Sequence, residues 1–121
     1  MDHTEDLSQE CPTEAALAVI GGRWKVPILW QLQMETRRFG ELSRTLPGIT
    51  QKMLTLQLRE LERDGIVHRK VFAEVPPRVE YSITELGRSL HPLMLELSQW
   101  GSEFLKRRKR LASSKMGLDA T

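Results

Sequence analysis

One cysteine, Cys11, and one tyrosine, Tyr81, stand in 121 residues. A lone thiol closes no intrachain disulfide, which fits a reducing, cytoplasmic setting. The three histidines, His3, His68 and His91, share no metal-ligand spacing with Cys11, so neither a metal nor a cofactor is expected. No nucleophile–base pair and no phosphate-binding glycine loop occurs, which argues against an enzyme. The longest apolar-rich runs, "AALAVIGG" and "VPILW", fall well short of the ~20 residues a bilayer-spanning helix needs. No positively charged start precedes an apolar stretch, so neither a secretory signal nor a membrane partner is expected. Internal repeats are absent too.

Lys and Arg are missing from the first fourteen residues, where Asp2, Glu5, Asp6, Glu10 and Glu14 place a charge of −5. The eighteen basic residues then face eleven carboxylates, which leaves the remainder at +7. A basic body behind an acidic leader suits a polyanionic partner, although the same charge would suit many proteins. With 40% hydrophobic and 28% charged residues the chain reads as globular, and its length as one domain small enough to gain from a partner.

Residues 1–10 are expected to be disordered, 11–111 to form the folded domain and 112–121 a flexible tail. "PTEAALAVIGG" reads as a first helix, opened by Pro12 and closed by Gly21-Gly22. In "RWKVPILWQLQ" a second helix starts near Trp24, because Pro27 is tolerated only in a first turn. Its inward stripe is Trp24, Ile28, Leu29 and Leu32. A third helix spans 38–46, with Phe39, Leu42 and Leu46 inward and a stop at Pro47-Gly48. The fourth runs from an N-cap at Thr50 to Asp64-Gly65, burying Leu54, Leu58 and Leu61.

After Gly65 the period changes from helical to alternating. Val67, Arg69 and Val71, then Val79, Tyr81 and Ile83, predict two strands of a hairpin joined by "AEVPP". Thr84 caps a last long helix whose apolar set is Leu86, Leu90, Leu93, Leu97, Trp100 and Phe104. Pro92 is expected to kink this helix rather than end it. The result is mainly α with a small β-hairpin. Two short helices, a three-residue turn and a hairpin make a winged helix-turn-helix.

About the axis of the fourth helix, Lys52, Arg59 and Arg63 lie opposite Leu54, with Thr55 and Gln51 on one flank. That face suits the major groove, whose base edges offer acceptors to Lys and Arg and mixed edges to Gln. A merely solvated face is the competing reading, and the fold context disfavours it. Arg38, beside Phe39, is placed against a phosphate, as are Ser43 and Arg44 more weakly; Arg37 and Arg44 also suit plain solvation. Arg78, after Pro76-Pro77, is placed at the adjacent minor groove, with a pair to Glu74 or Glu80 as the equal alternative. Arg69 and Lys70 add phosphate-directed charge. "KRRKR" (106–110) complements a helix dipole first, and a second phosphate patch is the alternative. Leu56, outward among cations, suits either a thymine methyl or a protein partner. A winged-helix module that docks a protein and binds no DNA is the rival function; the cations on this face speak against it.

"CPTEAALAVIGGRWKVPILWQL", "RRFGELSRTLPGITQKMLTLQLRELERDGIVHRKVF", "EVPPRVEYSITELGRSLHPLM" and "WG" together resemble the HxlR-type winged helix-turn-helix family of bacterial transcriptional regulators. "PPRVEYSIT" after "RELERDG" separates the pattern from the related MarR and ArsR groups. The resemblance implies a homodimeric, sequence-specific repressor or activator, cytoplasmic and nucleoid-associated, on a pseudo-palindromic operator in double-stranded DNA. It implies dimerisation through the first and last helices, with Leu17, Leu97, Trp100 and Phe104 as interface candidates. The helix beginning at Thr50 would enter the major groove, and the hairpin would be the wing.

Cys11 stands where a first N-cap falls, and cysteine caps poorly. Free N–H groups and the helix dipole there favour thiolate, whereas Glu10 and Glu14 are expected to raise the thiol pKa. Resemblance adds that a cysteine in this Cys-Pro context senses oxidants or electrophiles in several such regulators. A passive packed thiol is the alternative. Sensing would need a bridge between the Cys11 of two subunits or a mixed disulfide with a small thiol. A small-molecule effector is equally compatible.

Overall fold

The computed structural model describes residues 10–119; the segment expected to be disordered lies, apart from Glu10, outside them. Helix α1 (Pro12–Ile20) starts on extended Cys11, with Pro12 in the first turn where its missing N–H costs nothing. α2 (Lys25–Met34) begins after Trp24, which puts Pro27 in its first turn. A two-residue strand, β1 (Arg37–Arg38), leads into α3 (Phe39–Thr45), and a turn through Gly48 leads to α4 (Gln51–Arg63). β2 (Val67–Phe72) and β3 (Arg78–Ile83) follow, then α5 (Glu85–Arg88) and α6 (His91–Asp119).

The sheet is antiparallel in the order β1-β3-β2. Val67 faces Ile83, Arg69 faces Tyr81 and Val71 faces Val79, so the two expected runs pair, with Val67, Tyr81 and Ile83 buried and Val71 exposed. A third strand was not expected from the sequence. Arg37 pairs with Tyr81 and Arg38 with Glu80, which delays α3 to Phe39. Two residues are too few for an alternating signal, and two arginines carry none. The Arg38 N–H also donates to Glu41 Oε1 at 2.9 Å, closing the first turn of α3.

The expected last helix is in fact two. Thr84 Oγ1 accepts the Gly87 N–H at 3.0 Å and caps the short α5, which ends at Arg88. A new helix begins at His91, and Pro92 occupies its first turn instead of kinking an interior. Residues from Ala112, set apart above as a tail, are helical as far as Asp119.

The chain divides into two compact units, the boundary falling between Arg88 and Ser89. In the first, Ile28, Leu29, Leu32, Leu42, Leu54, Leu58, Leu61 and Ile66 are buried, each fully buried Leu or Ile contributing roughly 1.5–3 kcal/mol. α4 supplies three of these from one stripe, so its orientation is fixed by the core. Lys25 is buried at 6% exposure, and its Nζ meets Glu60 Oε1 at 2.7 Å, joining α2 to α4. The Lys25 ammonium, by hydrogen bond and charge, holds the Glu60 carboxyl below its ordinary pKa. In the second unit, Met94 is buried, while Leu93, Leu97, Trp100 and Phe104 are exposed at spacings of four, three and four. Trp100 and Phe104 stack with centroids 5.4 Å apart.

Candidate nucleic-acid interface

Why α4 presents the side chains it does follows from its two sides. Thr50 Oγ1 accepts the Met53 N–H at 3.0 Å and fixes the start, and Gly65, at φ 76°, takes the left-handed exit that a side chain would disfavour. Leu54, Leu58 and Leu61 point into the core. Gln51, Lys52, Leu56 and Arg59 therefore point out, and Thr55 lies half-buried on the flank. An open groove lined by Phe39, Gln51, Lys52, Thr55, Leu56 and Arg59 runs along this side. Among the described residues Lys52 and Arg59 form no ion pair, so their charges are unspent. Leu56 is 47% exposed among them.

The other predicted positions divide into exposed and engaged. Arg38 and Arg44 are exposed. Arg63 is exposed too, with Asp64 Oδ1 at 3.5 Å from its Nε. Arg37 is engaged, against Glu35 Oε1 at 3.2 Å and the Gln31 carbonyl oxygen at 3.5 Å. Arg78 is engaged most fully. Its guanidinium lies 3.9 Å from the Phe72 ring centroid and pairs with Glu74 at 3.2 Å and Glu80 at 3.6 Å. Its Nε is buried without a hydrogen-bond partner among the described residues. Of the two readings of Arg78, the geometry of the free chain is the pair: it braces the wing from below the tip. Lys70, its Nζ 4.8 Å from the centroid of the same Phe72 ring, remains exposed.

Cys11 is exposed, so in the single chain it is not a packed thiol. The Glu14 N–H, then the Thr13 N–H, hold its pKa below the usual thiol value, outweighing the small opposing effect of burial. No full cap hydrogen bond forms; the N–H groups act as dipoles close by. The expectation that Glu10 and Glu14 would raise the pKa is thus overturned: Glu14 acts through its backbone, with the opposite sign. Leu17 on α1 is 57% exposed, and Leu97, Trp100 and Phe104 on α6 are exposed as described. Sequence reasoning missed the Lys25–Glu60 pair and a polar crease between α4 and β2–β3, lined by Thr55, Glu62, Arg69 and Tyr81 among others. Neither has a local signal: the pair joins α2 to α4, and the crease needs Tyr81 of β3 brought beside α4.

A core-anchored helix after a tight turn, with unpaired cations outward and an antiparallel wing behind it, defines a winged helix-turn-helix DNA-binding transcriptional regulator. The family model of the HxlR-like helix-turn-helix matches residues 19–109, and the chain belongs to that family. The chain is 46% identical over 119 residues to YdeP, an HTH-type transcriptional regulator of Bacillus subtilis (strain 168), covering 98% of this chain and 93% of that one. Among solved structures, the redox regulator HypR in its oxidised form superposes with a TM-score of 0.72 at 55% identity, covering 77% of this chain and 96% of HypR. The reduced form of the transcriptional regulator YodB from B. subtilis superposes at 0.70 with 40% identity, covering 78% and 94%. Among the described residues, no helix is long and apolar enough to cross a membrane.

Proposed function

We propose that the protein acts in the cytoplasm as a homodimer, a sequence-specific regulator without enzymatic activity, bound to a two-fold operator on the nucleoid. α4 enters the major groove, with Thr50, Gln51, Lys52 and Thr55 towards the bases. Arg59, Arg63 and Arg38 face phosphates, and the wing, braced by Arg78, lies beside the minor groove. The observation that carries this reading is the pair of unspent charges, Lys52 and Arg59, on a helix whose opposite face is locked in the core. Leu17, and on α6 Leu97, Trp100 and Phe104, support pairing of two copies, because apolar side chains spaced along one helix face favour a partner over water.

Selection of bound duplex from a random pool tests it. The expected product is an inverted repeat whose half-site centres are about 34 Å apart or a multiple of that. Recovery of a single unrepeated half-site would remove the dimer, and recovery of no preferred sequence would remove specific recognition.

Cys11 gives the regulator its oxidant response in this reading. Support comes from its exposure, its lowered pKa and the likeness to HypR, a redox regulator. Thiolate forms as pH rises through the pKa, so a lowered pKa brings the reactive form in at lower pH. Alkylation of Cys11 by iodoacetamide is expected to have a pH midpoint below that of N-acetylcysteine in the same buffer. Diamide is expected to change operator binding in the wild type and leave Cys11→Ser unaffected. A midpoint at or above the small thiol, or an equal diamide response in both proteins, would end the sensor assignment.

A further inference from the structure

The sugar–phosphate strand that separates a major groove from its neighbouring minor groove must pass between a helix placed in one and a wing placed in the other. In this chain the space between them is a crease of about 190 Å³, with Leu58 as its floor and Thr55, Arg59, Glu62, Arg69 and Tyr81 around it. It is smaller than the roughly 300 Å³ at which pockets for organic ligands begin, and it suits a single oxyanion. Arg69 and Tyr81 face each other across the β2–β3 register, which brings a guanidinium and a phenol to the same spot from two strands. Arg59 approaches from α4 and is exposed. Arg69 Nε lies 3.6 Å from Glu62 Oε2, a weak, solvent-exposed pair that an anion can displace.

We infer that this crease binds one backbone phosphodiester of duplex DNA. Arg59 and Arg69 supply the charge, the Tyr81 hydroxyl a neutral donor, and Glu62 holds Arg69 while the crease is empty. Burial pushes the Tyr81 phenol above its usual pKa, against a lesser pull from Arg69, so the hydroxyl keeps its proton at neutral pH and donates it to an acceptor. Glu62 and a phosphate are both anions with two acceptor oxygens, so they compete for the Arg69 guanidinium. Phosphate binding therefore exchanges one partner of Arg69 for another. This crease site rests on the major-groove placement of α4.

The test is anisotropy titration of a pool-selected operator at several salt concentrations, with a thermal melt of each variant. Arg69→Ala is expected to weaken binding and to lower the log–log salt slope by up to about 1.8 per dimer, the full value applying where Arg59 alone does not hold the phosphate of each half-site. Tyr81→Phe keeps the ring and the fold; it is expected to weaken binding roughly threefold to tenfold for each half-site, with the slope unchanged. Glu62→Gln is expected to tighten binding and steepen the slope. If Lys52→Ala weakens binding while Arg69→Ala and Tyr81→Phe bind like the wild type, the crease assignment is wrong and the groove placement stands. If Lys52→Ala itself has no effect, both fall together.

Discussion

Replacing Lys52 and Arg59 together by alanine is expected to cost operator binding on the order of a thousandfold at physiological salt. A dimer loses four contacts, and about 1 kcal/mol for each, the lower end for a base-edge contact, gives that factor. If all four touch phosphates, the log–log salt slope falls by about 3.6. The slope therefore separates two roles that affinity alone merges. Lys52, in the first turn of α4, is placed for base edges, so its loss should relax sequence preference more than salt dependence. Arg59, two turns on and beside the wing, is placed for the backbone, so its loss should weaken all duplexes alike. Both side chains are exposed and form no ion pair among the described residues, and alanine is a strong helix former, so the melting temperature should hardly move. A double variant that binds the operator with wild-type affinity and slope would take α4 out of the groove.

How far the sequence foretold these positions depended on whether a signal is local. The stripe Leu54, Leu58 and Leu61 and the Thr50 cap belong to one helix, and one helix's periodicity carries them. The outward direction of Lys52 and Arg59 follows by exclusion, as does the alternation of the wing strands. Pro92 was misjudged because periodicity continues across it: Leu86, Leu90 and Leu93 keep helical spacing although the helix ends at Arg88. Pro92 is in fact compatible with either a kink or a fresh start, and sequence spacing does not separate the two. β1 was invisible for a different reason, since Arg37 and Arg38 become a strand only because β3 offers them an edge. The same holds at the interface. Arg78 read equally as a minor-groove contact and as a partner of Glu74 or Glu80, a choice made only where Phe72 and both carboxylates gather round it, and the crease required Arg69 and Tyr81 from separate strands to meet α4. Charge that is spent within the fold and charge left for a partner look alike in one dimension.

Gly87→Ala is expected to lower the melting midpoint by on the order of 10 °C, although most alanines placed in a helix stabilise it. Gly87 is buried in α5, and a methyl group there would overlap the Ile66 carbonyl oxygen and lie 2.7 Å from Ile83 Cδ1. Ile83 has a rotamer to give; the Ile66 carbonyl does not. That oxygen accepts the Thr84 N–H at 3.1 Å and the Thr84 hydroxyl at 3.0 Å. Gly87 itself donates to Thr84 Oγ1 and accepts from Gln33 Nε2 at 3.1 Å. Moving α5 away from the clash thus strains several hydrogen bonds of about 1 kcal/mol each, on top of an overpacking cost of about 1–3 kcal/mol. Helix propensity returns about 1 kcal/mol and does not cover the sum, which leaves a net loss of about 2–3 kcal/mol. Gly40→Ala is the matched control. Gly40 is exposed in α3, and the nearest atom its methyl would meet is Arg44 Nη1 at 3.6 Å, an ordinary contact, so the same substitution should leave the midpoint unchanged or raise it slightly. Because Ile66 leads directly into β2, Gly87→Ala should also weaken operator binding while Lys52 and Arg59 remain in place. A Gly87→Ala protein that melts with the wild type would mean that α5 is free to shift, and that the wing does not depend on it for its position.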